Sequence, residues 1–109
     1  MGTSKTELFE KEQVAVAELC KALAHPARIA ILEYLLKIEG CANRDLVEEV
    51  GLAQATVSQH LRELKRVQLV QGTVSGASMN YCVNVDGWKK AKTLIDNLLS
   101  QTPKSINNC

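Results

Sequence analysis

The sequence predicts a mainly α-helical domain with a β-hairpin wing, a winged helix-turn-helix of α+β class in the order α-α-α-α-β-β-α. Three observations predict this fold. A short helical stretch is followed by a glycine turn and a longer amphipathic helix. Two segments of strand character then flank a four-residue tip, SGAS. A last amphipathic stretch behind them predicts the final helix.

Apolar periodicity predicts the individual helices at residues 6–23, 26–39, 44–50, 54–67 and 86–100. Pro26 suits the first turn of the second helix, and Gly40 suits its end. Asn43 is a favoured N-cap for the third helix, which Gly51 ends, and Asp86 is expected to cap the fifth. The two strands of the hairpin are predicted at residues 69–74 and 79–85.

The length and composition are those of one small globular domain, and we take residues 1–109 as a single unit with a dimerisation helix at each end. Aromatic residues make up only 4% of the chain, so the core should consist mostly of Leu, Val, Ile and Ala. A net charge of +1 excludes a polybasic nucleic-acid coat protein, but it permits a local basic patch. No signal peptide or membrane span is evident, so a cytoplasmic protein with reduced thiols is expected.

The helix over residues 54–67 has one apolar stripe and one polar side. Val57, Leu61 and Leu64 form the stripe, which the preceding helices can cover. The polar side suits the major groove of double-stranded DNA, which accepts one helix and offers hydrogen-bonding base edges. The candidate DNA-binding residues on it are Gln54, Thr56, Ser58, Gln59, Arg62, Lys65 and Arg66, the first four nearer to bases and the cations nearer to phosphates. A merely solvated helix face would carry the same residue types, and this alternative stays open.

The chain resembles the ArsR/SmtB family of bacterial winged-helix repressors in LCKALAHPARIAILEYL, in RDLVEEVGLAQATVSQHLRELKRVQLV and in the hairpin ending NYCVN. The resemblance spans about residues 15–100. It implies a homodimeric repressor that binds an inverted repeat in DNA and leaves it when an inducer binds. It also places Ser58, Gln59 and Arg62 on the DNA-contacting face. His60 matches a family histidine, which either contacts DNA or supports the fold through a hydrogen bond.

The wing departs from this family. Family wings often carry several arginines, whereas QGTVSGASMN contains no cation. Such a wing gains little from phosphate neutralisation or from the negative potential of the minor groove. We therefore expect weaker and less salt-sensitive DNA binding than is usual for the family, with the long helix supplying more of the affinity.

The metal ligands of the family are also missing. Its Cys-x-Cys-Asp stretch corresponds to CANRDL, where the ligand positions hold Ala42 and Arg44 and Cys41 is one residue out of register. A lone thiolate is a poor site for a soft metal. The second family site, on the last helix, corresponds to Val85, Gly87, Leu98 and Gln101. No metal or other cofactor is expected, and the inducer is left open.

The four cysteines lie too far apart in sequence for a zinc motif. One hypothesis is a thiol switch, in which two of Cys20, Cys82 and Cys109 pair on oxidation and reshape a dimer. The alternative is that each free cysteine acts as a small apolar side chain.

A dimer would read two half-sites about 34 Å apart, one turn of DNA. The residues expected in its contact are apolar and come from the first and last helices: Leu8, Phe9, Leu19, Trp88, Ala91, Leu94, Ile95 and Leu98. Part of this stripe must instead close the core of the domain.

The leading functional hypothesis is a sequence-specific transcriptional regulator, a homodimeric repressor that lacks the metal-sensing ligands. The alternative is a winged-helix module that binds protein and binds DNA little, which the uncharged wing favours. The sequence contains no Ser/His/Asp arrangement, no Gly-rich phosphate loop and no paired carboxylates, so an enzyme is not expected.

Overall fold

The computed structural model describes residues 8–43, 45–75 and 78–104. Its elements are α1 (Lys11–Leu23), α2 (Pro26–Ile38), β1 (Cys41–Ala42), α3 (Asp45–Val50), α4 (Gln54–Arg66), β2 (Val70–Ser75), β3 (Ser78–Val83) and α5 (Val85–Leu99). The winged helix-turn-helix order predicted from the sequence is confirmed, and β1 is an addition to it.

The strands form one antiparallel sheet of order β1-β3-β2. β2 and β3 make the predicted hairpin, and they pair along their whole length. β1 adds two further pairs to the outer edge of β3, Cys41 with Cys82 and Ala42 with Tyr81. A strand of two residues has no alternation that a sequence pattern can reveal, which is why β1 was missed. β1 attaches the segment before α3 to the wing.

The core is aliphatic, as the composition predicted. Its buried side chains come from all five helices and from the sheet: Leu19, Ile31, Leu32, Leu35, Ala42, Leu46, Val57, Leu61, Leu64, Leu69, Val70 and Ala91. α2 is the central helix, because it packs against α1, α3 and α4 as well as β1 and β3. α4 packs against α1, α2, α3 and β2, and only Val57, Leu61 and Leu64 of this helix are buried.

The predicted bounds of α1 and α2 need correction. α1 begins at residue 11, because Glu10 and Gln13 form a capping box in which the backbone N–H of Glu10 donates to Gln13 Oε1 at 2.9 Å. Residues 6 and 7, predicted to be helical, lie outside the described residues. α2 ends at Ile38, since Glu39 takes the left-handed conformation with φ 51°. The sequence pattern had assigned this ending to Gly40.

α5 also begins at a different residue from the one predicted. Asn84 is its N-cap, and the Oδ1 atom of Asn84 accepts a hydrogen bond from the backbone N–H of Gly87 at 3.2 Å. Asp86, the predicted cap, lies inside the first turn. The error arose because Val85 extends the apolar alternation of β3 and was assigned to the strand.

Candidate nucleic-acid interface

α4 buries its apolar stripe and exposes its polar side. Val57, Leu61 and Leu64 are buried in the core. Six of the candidate DNA-binding side chains are exposed: Gln54, Thr56, Gln59, Arg62, Lys65 and Arg66. The other two, Ser58 and His60, are half-buried on the flanks of the helix. The helix is therefore free on the side that a DNA groove would contact.

Gln59 and Arg62 lie on the part of α4 that points farthest from the core. Residues three and four apart share a helix face, and Ala55, Gln59, Arg62 and Arg66 follow this spacing opposite the buried stripe. The Nη1 atom of Arg62 donates to Gln59 Oε1 at 2.9 Å. An exposed amide and an exposed guanidinium are thus held side by side.

Arg66 differs from Arg62, although both are exposed cations of α4. Its Nη1 lies 3.2 Å from an oxygen of Glu18 on α1, and its Nε lies 3.1 Å from an oxygen of Glu63. Hydrogen bonds to Glu63 and then Glu18 raise the pKa of Arg66, and the bond from Arg66 lowers the pKa of Glu63. Two carboxylates offset this charge, and the contact with Glu18 links α4 to α1.

His60 supports the fold. Its Nδ1 accepts a hydrogen bond from Nε of Arg28 at 3.0 Å, and its ring lies 5.6 Å from the ring of His25. Burial, followed by the charges of Arg28 and His25, lowers the pKa of His60. Of the two roles that the sequence left open for His60, the structure shows the hydrogen-bonded one.

A second polar contact fixes the start of the helix-turn-helix. The hydroxyl of Tyr34 on α2 donates to Asp45 Oδ2 at 2.5 Å, and the backbone N–H of Asn43 donates to Asp45 Oδ1 at 2.9 Å. The bond to Asp45 raises the pKa of Tyr34 to about 12 and lowers the pKa of the Asp45 carboxyl. The sequence predicts Asn43 as the cap and predicts no role for Asp45, because no local pattern joins Asp45 to a tyrosine eleven residues earlier.

The cysteines pair differently from the hypothesis. A disulfide joins Cys82 to Cys41, which the thiol-switch hypothesis did not include. The expectation of reduced thiols is therefore wrong for these two residues. Cys20 is exposed and free, and Cys109 lies outside the described residues. The pair was missed for the same reason as β1, since only the β1–β3 register brings Cys41 next to Cys82.

The residues expected in a dimer contact fall into two groups. Leu19 is 3% exposed and Ala91 is 8% exposed, so both belong to the core of the single chain, which corrects their assignment to a dimer contact. Trp88 and Ile95 are half-buried against that core. The remaining members are accessible: Leu8, Phe9 and Leu98 are exposed, and Leu94 is half-buried.

Two further properties concern the described residues only. Within residues 8–43, 45–75 and 78–104, no three His, Cys, Asp or Glu side chains come together in a group that could hold a metal ion. In the same part of the chain, no helix combines the length and the apolar character needed to cross a bilayer.

The sequence is similar to those of known regulatory proteins. The sequence model of a family described as bacterial regulatory protein, arsR family, matches residues 25–72, from the start of α2 into β2. An HTH-type transcriptional regulator of Methanocaldococcus jannaschii, MJ1325, is 30% identical over 92 residues, which are 84% of this chain and 99% of the relative.

Two proteins of Mycobacterium tuberculosis are similar over 67 residues, 62% of this chain. The HTH-type transcriptional regulator Rv0081 is 40% identical, and the HTH-type transcriptional repressor SmtB is 42% identical. The match spans only 59% of the length of Rv0081 and 49% of that of SmtB. The crystal structure of Rv0081 matches with a TM-score of 0.62 and 33% identity, covering 84% of this chain and 96% of the solved one.

The family match covers the helix-turn-helix, and the MJ1325 match extends over most of the chain at a level that shows common family membership. The chain belongs to the ArsR family of bacterial regulatory proteins.

Proposed function

We propose that the protein is a sequence-specific DNA-binding transcriptional regulator that represses its target. The observation that carries this proposal is the exposed Gln59–Arg62 pair on a helix whose opposite side is buried. Amide and guanidinium groups are the side chains best suited to adenine and guanine edges in the major groove. Repression is supported by the similarity to SmtB, which is named a transcriptional repressor.

Individual residues of α4 have different roles in this proposal. The N-terminal half of a recognition helix contacts base edges, which favours Gln54, Thr56 and Gln59. Arg62 lies beyond the middle of α4, and we group it with them because it is bonded to Gln59. Lys65 is an exposed cation farther along the helix and is suited to a phosphate. Ser58 lies on the flank, where it can contact the backbone of the DNA. His60 and Arg66 support the helix through Arg28 and Glu18, respectively.

We further propose that two copies associate through α1 and α5, the dimerisation helices of a single domain. These helices pack together in one chain. They leave apolar side chains on the outside, including Leu98, which is 56% exposed, and Leu94 and Leu99. Leu8 and Phe9, which precede α1, are exposed as well. A twofold dimer presents two copies of α4 to half-sites about 34 Å apart, which is the geometry of an inverted repeat.

The test of DNA reading begins with fragments that the purified protein recovers from genomic DNA, followed by fluorescence anisotropy on the enriched site. Arg62→Ala and Gln59→Ala should each weaken specific binding by about 1–3 kcal/mol, roughly 5- to 150-fold. Arg66→Ala is the matched control, because it removes the same charge from the same helix, and it should change the affinity far less.

The alternative is a winged-helix module that binds a protein partner, and the uncharged wing favours it. If Arg62→Ala and Gln59→Ala both bind the site as tightly as the wild-type protein, the DNA-reading proposal fails and this alternative takes its place.

The dimer is tested by sedimentation equilibrium at micromolar concentration. We expect twice the chain mass of 12.0 kDa. Leu98→Lys should shift the protein to the monomer, whereas Leu36→Lys, at an exposed leucine of α2, should leave the dimer intact. A wild-type monomer would exclude the dimer.

A further inference from the structure

Cys41 and Cys82 are direct neighbours on antiparallel strands. They occupy opposing positions of β1 and β3, their Cα atoms are 4.3 Å apart, and a disulfide joins them. Cys41 is an exposed residue and Cys82 is half-buried, so the pair lies at the surface of the domain. This accessibility is what exchange with a small thiol or disulfide requires.

The position of the bond relates it to the DNA-reading elements. The two cysteines are 41 residues apart, and the segment between them contains α3, α4 and β2. Without the bond, β1 is held to β3 by only two residue pairs. Short ladders of this kind open easily, because few hydrogen bonds offset the loss of chain freedom. The disulfide therefore decides how firmly the segment leading into α3 stays on the wing.

We propose that Cys41 and Cys82 form a redox-responsive pair that low-molecular-weight disulfides oxidise and small thiols reduce. The Cys41 thiolate attacks the small disulfide, forms a mixed disulfide and releases one small thiol. The Cys82 thiolate then attacks the Cys41 sulfur, which forms the Cys41–Cys82 bond and releases the second small thiol. Two electrons pass from the cysteine pair to the small disulfide, and the two cysteine protons leave on the two thiols released.

The oxidised protein is the tighter DNA binder in this scheme, and this part of the inference rests on the proposed function. With the disulfide present, Gln59 and Arg62 of α4 remain exposed, so the bond does not obstruct DNA reading. A wing that is already fastened to the helix-turn-helix loses less conformational freedom on binding, and such preorganisation increases affinity. Reduction leaves β1 held to β3 by two residue pairs alone, and this looser attachment lowers the affinity.

The pair is tested on the full chain in buffers with varied ratios of reduced to oxidised glutathione. Free thiols are alkylated, and the peptides are analysed by mass spectrometry. A peptide linked through Cys41 and Cys82 should accumulate as the buffer becomes oxidising, and it should do so equally in a Cys20→Ser/Cys109→Ser variant. The inference is overturned if both thiols remain open to alkylation, or if the linked peptides contain Cys20 or Cys109 instead.

DNA affinity is measured on the same samples. The oxidised protein should bind its site about fivefold or more tightly than the reduced protein. Cys41→Ser and Cys82→Ser should each abolish this difference, and Cys20→Ser/Cys109→Ser should retain it. Equal affinity of the two redox forms contradicts the inference. Loss of all specific binding in both forms contradicts the proposed function instead, and the peptide result still decides whether the pair is redox-active.

Discussion

Nε of Arg28 donates a hydrogen bond to Nδ1 of His60 at 3.0 Å. Arg28 is only 8% exposed, and its Nη1 also donates to the carbonyl oxygen of Ala22 at 3.1 Å. One buried guanidinium therefore connects the end of α1 to α4. Because Nδ1 of His60 can accept only while it carries no proton, this connection depends on pH.

Acid should destabilise the protein through His60. The pKa of His60 lies below its ordinary value of 6.5, because burial and the charges of Arg28 and His25 disfavour the protonated ring. The unfolded chain therefore gains a proton at pH values where the folded protein does not. This contribution to the free energy of unfolding is complete above pH 6.5 and decreases as the pH falls towards the folded pKa.

Urea denaturation over a pH series spanning this range measures the effect. His60→Asn keeps an acceptor near the position of Nδ1 but does not titrate. The free energy of unfolding should therefore decrease less in this variant as the pH falls. His25→Asn is the comparison variant: it removes only the last of the three causes of the lowered pKa of His60, so most of the decrease should remain. A His60→Asn protein with the full wild-type decrease would show that other groups cause the acid sensitivity.

A cation in the wing should increase the affinity for DNA and its salt dependence. Thr73 is an exposed residue of β2, and no Lys or Arg lies between residues 67 and 85. If the wing approaches the DNA backbone, Thr73→Arg adds one phosphate contact and steepens the plot of log affinity against log salt by about 0.9. Thr73→Gln adds length without charge and should leave the slope unchanged. An unaltered slope in Thr73→Arg would mean that the wing stays away from the phosphates.

Alanine variants at Asn84 and Asp86 should differ in stability, because Asn84 and not Asp86 is the N-cap of α5. Asn84→Ala removes the acceptor for the Gly87 N–H and should lower the free energy of unfolding by about 1 kcal/mol. Asp86→Ala removes only a charge near the start of the helix and should cost less. Thermal unfolding shows which of the two variants loses more free energy of unfolding. A larger loss in Asp86→Ala would support the cap predicted from the sequence.

Gly87 should tolerate no side chain. A Cβ atom there would overlap the backbone carbonyl oxygen of Gln68 and lie 2.8 Å from its carbonyl carbon, and Gln68 itself has a positive φ of 64°. Gly87→Ala should therefore destabilise the protein by about 1–3 kcal/mol, as overpacking typically does. At Gly40 the nearest atom to an added Cβ is 3.7 Å away, so Gly40→Ala should stay within about 0.5 kcal/mol of the wild-type protein. Urea denaturation compares the two, and equal stability would mean that Gln68 moves aside easily.

The helices and the hairpin were predictable because their apolar patterns repeat along the sequence. Single contacts between distant residues have no such pattern and were not predictable. The stripe of Val57, Leu61 and Leu64 extends over about two turns, so the inner side of α4 follows from the sequence alone. The burial of Arg28 has no such signal, because it depends on partners from two other helices. The same holds for Arg66, whose partner Glu18 is 48 residues away. Exposure of the polar side of α4 was therefore predictable, but which of its polar side chains bond to other helices was not.

The Cys41–Cys82 bond turns residues 41–82 into a covalent ring. A protease that cuts α4 after Arg62 or Lys65 opens this ring at one point only. The two pieces of the nicked chain then remain one molecule until a reductant breaks the remaining link. α4 thus lies in a stretch of the chain, residues 41–82, where a broken backbone need not release a fragment.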